Sequence, residues 1–109
     1  SVLELSGCDA VCVLADADVT LAARSAWFAA TLNAGQTCMA SRRAFVQRGV
    51  YEAFGAALRP LVEASAARPL VTAGQVEQAD RLVKDAAAKG CEVLSPAGDE
   101  GFPPAAILR

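Results

Sequence analysis

A thiol in a polar turn is the first place in this chain where chemistry could happen. Cys38 closes the stretch Asn33-Ala34-Gly35-Gln36-Thr37-Cys38, which follows an apolar, helix-like run. A cysteine within a strand or helix behaves as a small hydrophobe, whereas one at a turn is open to substrate and to backbone N–H groups that favour the thiolate. The thiolate is intrinsically a strong nucleophile, so modest stabilisation suffices. The chain has no histidine. No Cys-His or Ser-His pair can therefore be built from it, and a general base must be an Asp, a Glu or a group from elsewhere.

The other cysteines, Cys8, Cys12 and Cys91, are irregularly spaced. They match no zinc pattern, and without histidine there is no mixed site to complete, so no metal is expected. Cys12 lies in a strand-like run and, with Cys91, is read as a packing residue; Cys8 sits at a turn. Reduced thiols and a cytoplasmic location are the default expectation. At 54% hydrophobic, 20% charged and a net charge of −2, the chain falls with globular proteins. It has no basic stripe and few aromatic residues, which excludes nucleic-acid binding by phosphate neutralisation or base stacking. Asp9, Asp16, Asp18, Arg24 and Asn33 interrupt every apolar run before the roughly 20 residues a membrane span needs. No membrane partner and no signal peptide are read.

The elements that must carry the turn follow from periodicity. Val2 to Leu5 reads as a strand end, with Ser6-Gly7 allowing a tight change of direction. Ala10 to Leu14 is a continuous apolar run, which predicts a strand covered on both faces. Asp16-Ala17-Asp18 supplies a helix start. Leu21, Ala22, Ser25, Ala26, Phe28, Ala29 and Leu32 recur at helical steps, with Trp27 and Phe28 supplying bulk. Arg43 to Gln47 is strand-like again, and Arg42 and Arg43 are read as its surface flank or as groups that steer an anion. Tyr51 to Ala67 reads as a second helix, broken or kinked near Ala56 to Arg59 by Pro60. A third runs from Ala73 to Lys89, with Thr72 as cap, Val76, Ala79, Leu82, Val83 and Ala86 on its apolar face, and Gly90 as stop. Cys91 to Leu94 and Ala105 to Leu108 are strands flanking a polar loop, Ser95 to Gly101. Helices between buried strands predict an α/β three-layer sandwich, with a mostly parallel sheet and flanking helices.

The turn also carries a family resemblance. Asn33-Ala34-Gly35-Gln36-Thr37-Cys38 resembles the N-x-G-Q-x-C signature around the nucleophile of the aldehyde dehydrogenase superfamily, and Glu4-Leu5-Ser6-Gly7 resembles its E-L-G-G segment. The 34 positions between Glu4 and Cys38 are the family's usual separation. The similarity continues through Arg42 to Gln47 and Val50 to Phe54, and more loosely to Phe102-Pro103-Pro104. Family members are several times longer than this chain. It begins on apolar Val2-Leu3 and stops at Ile107-Leu108-Arg109, so residues 1–109 are expected to be part of a catalytic domain, without the nucleotide-binding domain and the oligomerisation element.

What the resemblance implies is oxidation of a small aldehyde to a carboxylic acid with NAD or NADP. Cys38 is the implied nucleophile and, through its own N–H, an oxyanion donor. Glu4 is the implied base that activates the hydrolytic water, and Leu5 and Ser6 are the implied cofactor contacts. A second oxyanion donor, an asparagine, would come from a segment this chain does not contain. The full-length parent is expected to be a homo-oligomer, and the isolated stretch inactive. Ser6 stands where the family has a second glycine and Cys8 where it has a lysine, and the region after Arg68 is shorter than usual. Those departures motivate a second reading, a non-catalytic member with an assembly or ligand-binding role; a third is a standalone α/β binding module. Asn33 and Gln36 are read as shaping the turn by side-chain to backbone bonds, with Gly7 and Gly35 serving backbone geometry.

Overall fold

The structure, a computed structural model, describes residues 1–3, 6–96 and 105–108. These form two compact units, Ser1–Leu58 and Arg59–Arg109. The elements follow the expected order: β1 (Asp9–Val13), α1 (Val19–Thr31), β2 (Ser41–Val46), α2 (Tyr51–Glu63), α3 (Ala73–Ala88), β3 (Glu92–Leu94) and β4 (Ala106–Leu108).

In the first unit β1 and β2 are parallel, and α1 is the crossover between them, packed on both strands. Asp18 starts α1 as its sequence position predicts, its Oδ1 accepting the Leu21 N–H at 3.0 Å. Beyond Val13 the ladder is prolonged by one residue: the Gln47 N–H donates to the Val13 carbonyl at 2.9 Å, and Gln47 Oε1 accepts the Ala15 N–H at 2.6 Å. At its other end the ladder is irregular. Asp9 pairs with Ser41 but Ala10 pairs with Arg43, so Arg42 is an extra residue, a bulge in β2.

Val13, Ala23, Ala26, Ala40, Phe54 and Leu58 form the buried core of this unit. The face of α1 that packs is the small one, Ala23 and Ala26, whereas Phe28 is 67% exposed and Leu21 60% exposed. The stripe read from sequence is right at Ala26 and, half-buried, at Ala22 and Ala29, but wrong at Leu21, Ser25 and Phe28, which are exposed, and it leaves out Ala23. Small side chains let the helix backbone approach a sheet that is two strands wide here, and the bulky residues point elsewhere. For the same reason Val13 is the only residue of β1 that is fully buried, and Cys12, expected to pack, is exposed. Val2 and Leu3 are exposed and form no strand, having no pairing partner among the described residues. Glu4 and Leu5 lie outside the described residues.

The second unit begins within α2, which runs unbroken through Ala56 to Arg59 and past Pro60. The predicted break is absent. Ala56 and Pro60 both lie on the exposed side of the helix, so the carbonyl that Pro60 cannot bond has access to solvent, and the Ala64 N–H still reaches the Pro60 carbonyl at 3.1 Å. The helix ends at Glu63, short of the expected Ala67. Thr72 and Gln75 close a reciprocal capping box on α3, at 3.3 and 3.1 Å. At the other end the Gly90 and Cys91 N–H groups return to the Ala87 and Ala86 carbonyls. α3 packs on β3, which pairs antiparallel with β4 through Glu92↔Leu108, Val93↔Ile107 and Leu94↔Ala106. The two-stranded sheet of the first unit is thus parallel and that of the second antiparallel.

Val62 and Leu94 are the buried apolar residues of the second unit. A bidentate ion pair joins Arg59 to Glu92, at 2.6 and 2.7 Å. The hydrogen bond from Arg59, opposed by desolvation and aided by the arginine charge, holds the Glu92 carboxyl below its ordinary value. Residues 97–104, which include most of the expected polar loop and Phe102-Pro103-Pro104, lie outside the described residues.

Candidate functional site

The turn that leads into Cys38 is built from left-handed backbone. After α1 a short 3-10 turn, Leu32–Gly35, takes Asn33 to φ 52°, Ala34 to φ 57° and Gly35 to φ 71°. Asparagine tolerates this region and glycine prefers it, but for Ala34 it costs on the order of 1–2 kcal/mol. Such strain persists only where the surroundings hold it. Gly35 is further required because a Cβ there would lie 2.9 Å from the Ala30 carbonyl oxygen. Asn33 shapes the turn through its backbone, its carbonyl accepting the Gln36 N–H at 3.1 Å. The Ala40 N–H then closes on the Thr37 carbonyl at 3.2 Å. Cys38 rides on this second turn with its side chain exposed.

Gly7 comes directly against it. A methyl group built on Gly7 would overlap the Cys38 carbonyl oxygen, so the two backbones touch at a spacing only glycine permits. The chain ahead of Gly7 is turned by Ser6, exposed and at φ 78°, again left-handed. Of the four residues singled out from the sequence, Cys38 and Ser6 are therefore placed, and the segment ending at Gly7 meets the Cys38 turn. Glu4 and Leu5 fall outside the described residues. Thr37, beside the thiol, buries its hydroxyl oxygen without a hydrogen-bond partner among the described residues.

One residue of the site was misread from sequence. Arg42 is no plain strand flank: it reaches back across the turn and donates to carbonyls on both segments. Its Nη1 bonds the Gly7 carbonyl at 2.7 Å, and its Nη2 bonds the Thr37 carbonyl at 3.1 Å. Longer contacts run to the carbonyls of Ala40, Cys38 and Gly35, at 3.3, 3.4 and 3.5 Å. The first two have ordinary hydrogen-bond lengths and carry most of the energy; the rest place positive charge among oxygen dipoles. Arg43 behaves as expected of a flank, exposed and 5.9 Å over the exposed Phe45 ring. The only sequence signal for the role of Arg42 was an arginine four residues after the cysteine. Its direction depends on the bulge, which no local pattern announces.

A profile of the Aldehyde dehydrogenase family matches residues 1–106. The chain belongs to this family. An aldehyde dehydrogenase of Paenarthrobacter nicotinovorans is 35% identical over 122 aligned positions, covering 99% of this chain and 27% of the relative. Among solved structures, the succinate-semialdehyde dehydrogenase of Burkholderia pseudomallei superposes with a TM-score of 0.85 at 30% identity, over 96% of this chain and 25% of that one. An aldehyde dehydrogenase of Bacillus cereus, solved as its NAD+ complex, superposes with a TM-score of 0.79 at 26% identity, over 95% of this chain and 24% of that one. The chain thus spans about a quarter of the length of the relatives it matches. These aldehyde dehydrogenases share its α/β fold across both units, which bears out the fold class read from sequence.

Proposed function

We propose that this chain is the nucleophile-bearing part of an NAD(P)-dependent aldehyde dehydrogenase that oxidises a small aldehyde to its carboxylic acid. What supports the reading is the family match together with an exposed Cys38 thiol on a strained turn braced against Gly7. In this reading the Cys38 thiolate adds to the aldehyde carbon, and the carbonyl electron pair moves onto oxygen. The Cys38 N–H is one donor to that oxyanion, and a preorganised donor of this kind is typically worth ~3–4 kcal/mol. A turn closed by the Ala40 N–H on the Thr37 carbonyl and preceded by the left-handed residues Asn33 to Gly35 fits such preorganisation. As the oxyanion pair re-forms C=O, the C–H bond breaks and the Cys38 thioester results, the hydride going to the acceptor that NAD or NADP would supply when bound. Ser6, small, exposed and next to the contact between Gly7 and Cys38, fits a cofactor-side role, with Leu5 beside it in sequence. Glu4 takes a proton from water, the hydroxide adds to the thioester carbon, the C–S bond breaks, and the Cys38 thiolate is regenerated as the acid leaves.

The parent is further proposed to be cytoplasmic and homo-oligomeric, with Cys38 and Glu4 as its catalytic pair. A non-catalytic role in assembly or ligand binding is the second reading. It is favoured by Ser6, a left-handed residue with a Cβ at the edge of the site. Reactivity separates the two. In the full-length protein a thiol probe labels Cys38 ahead of Cys8, Cys12 and Cys91, and Cys38→Ala abolishes NAD(P)-dependent aldehyde oxidation, a loss of at least ~10³-fold. Equal labelling of the four thiols with turnover retained in Cys38→Ala would defeat the enzyme reading.

A further inference from the structure

We infer that Arg42 is a positioning residue, whose guanidinium locks the cysteine-bearing turn to the Gly7 segment. The inference rests on the dehydrogenase reading for its kinetic consequence, but its geometry stands apart from that reading. Two independent features point the same way. The first is the bulge: Asp9 pairs with Ser41 and Ala10 with Arg43, leaving Arg42 out of the ladder. An extra residue at the end of a strand pair frees its side chain from the alternation of the sheet and re-aims it. The second is the set of acceptors. Among the described residues, every oxygen that Arg42 reaches is a backbone carbonyl, one from Gly7 and four from the stretch between Gly35 and Ala40.

This donor set suits a guanidinium and nothing smaller. Arginine presents five N–H groups in a rigid plane, so one side chain can hold two segments at once. A lysine ammonium is a point charge on a flexible stem; it keeps the charge but cannot span the Gly7 and Thr37 carbonyls in one fixed geometry. The turn it would hold is under strain at Ala34 and touches Gly7 without a side chain between them. Without the lock, the turn has a reason to relax and a neighbour it can drift from. Any such shift moves the Cys38 N–H and Sγ together. Arg42 itself touches neither substrate nor reacting atom in this account.

The test uses the full-length protein, with a short aliphatic aldehyde and NAD or NADP. Arg42→Ala is expected to lower kcat by about 10²-fold, the scale of an ångström-level misplacement, while KM stays within roughly threefold. Arg42→Lys is expected to lose a comparable amount while unfolding at the wild-type temperature. Millimolar guanidinium chloride, but not equal sodium chloride, restores at least a tenth of the lost kcat to Arg42→Ala. It likewise restores the rate at which iodoacetamide alkylates Cys38, a readout that needs no turnover. Wild-type kcat in Arg42→Lys, or an Arg42→Ala defect in both readouts that guanidinium leaves in place, overturns the assignment. Failure of the wild-type protein to oxidise aldehydes would instead defeat the dehydrogenase reading, and the alkylation rates alone would then decide the role of Arg42.

Discussion

The turn around Cys38 and the helix α3 are stabilised by opposite means. α3 is held by interactions that any sequence of its type can make: a reciprocal cap at Thr72 and Gln75, and exposed pairs of Asp80 with Lys84 and Asp85 with Lys89. Each is local, each is worth at most about 1 kcal/mol, and loss of one leaves the others untouched. The Cys38 turn has no such redundancy. Its contact with Gly7 and its guanidinium join distant segments, and only the left-handed preference of Asn33 and Gly35 is local. The difference teaches where substitutions should matter: the helix absorbs them one at a time, whereas the turn should fail as a unit.

The hardest blow to that contrast falls on Gly7. Gly7→Ala puts a methyl group into the Cys38 carbonyl, so one segment must move away; kcat for aldehyde oxidation should fall by about 10²-fold. Unchanged turnover would show that the contact does not position the thiol. The counterpart on the helix is Thr72→Ala, which removes the cap oxygen from the Gln75 N–H. It should cost ~1 kcal/mol in chemical denaturation of the second unit with kcat unaltered; an equal loss of turnover would erase the distinction. Ser6→Gly tests strain directly. Relief of the left-handed penalty at φ 78° against the added freedom of glycine should leave a net gain of about 0.5 kcal/mol, read as a higher denaturation midpoint.

The smallest effect belongs to Glu92, and its sign is fixed by the pairing. Arg59 depresses the folded-state value of the carboxyl below the ordinary 4.5, so the pair contributes above that ordinary value and its contribution disappears as pH falls through the depressed one. Glu92→Gln should therefore lower the melting temperature slightly at neutral pH, less at high salt, and not at all in acid below the folded-state value. The pair is half exposed, so a large shift would mean that the second unit relies on it more than solvent screening permits.

Legibility in the sequence divided along the same line. Asp18, Thr72 and Gly90 announced the ends of their helices because capping is a matter of a few adjacent residues, and the order of elements followed from periodicity alone. The stripe of α1 was partly misjudged because Ala23 and Phe28 compete for the sheet, and closeness of approach, not side-chain size, decided between them. The break that Pro60 could have caused is absent because the orphaned carbonyl sees water. At the site, the motif located the thiol, but the mount was invisible: that Gly7 meets Cys38 and that Arg42 bonds both segments are facts of pairing register, set between residues some 35 positions apart.

That register has a consequence of its own. In a regular strand, inserting or deleting one residue exchanges the two faces of everything that follows. Here the irregularity is placed between Ser41 and Arg43, ahead of the regular pairing of Ala44 to Val46. The pairing from Arg43 to Val46 therefore keeps its two faces whatever path Arg42 takes to reach the turn. The seam separates the regular ladder of the sheet from the irregular backbone that lets one guanidinium face the turn.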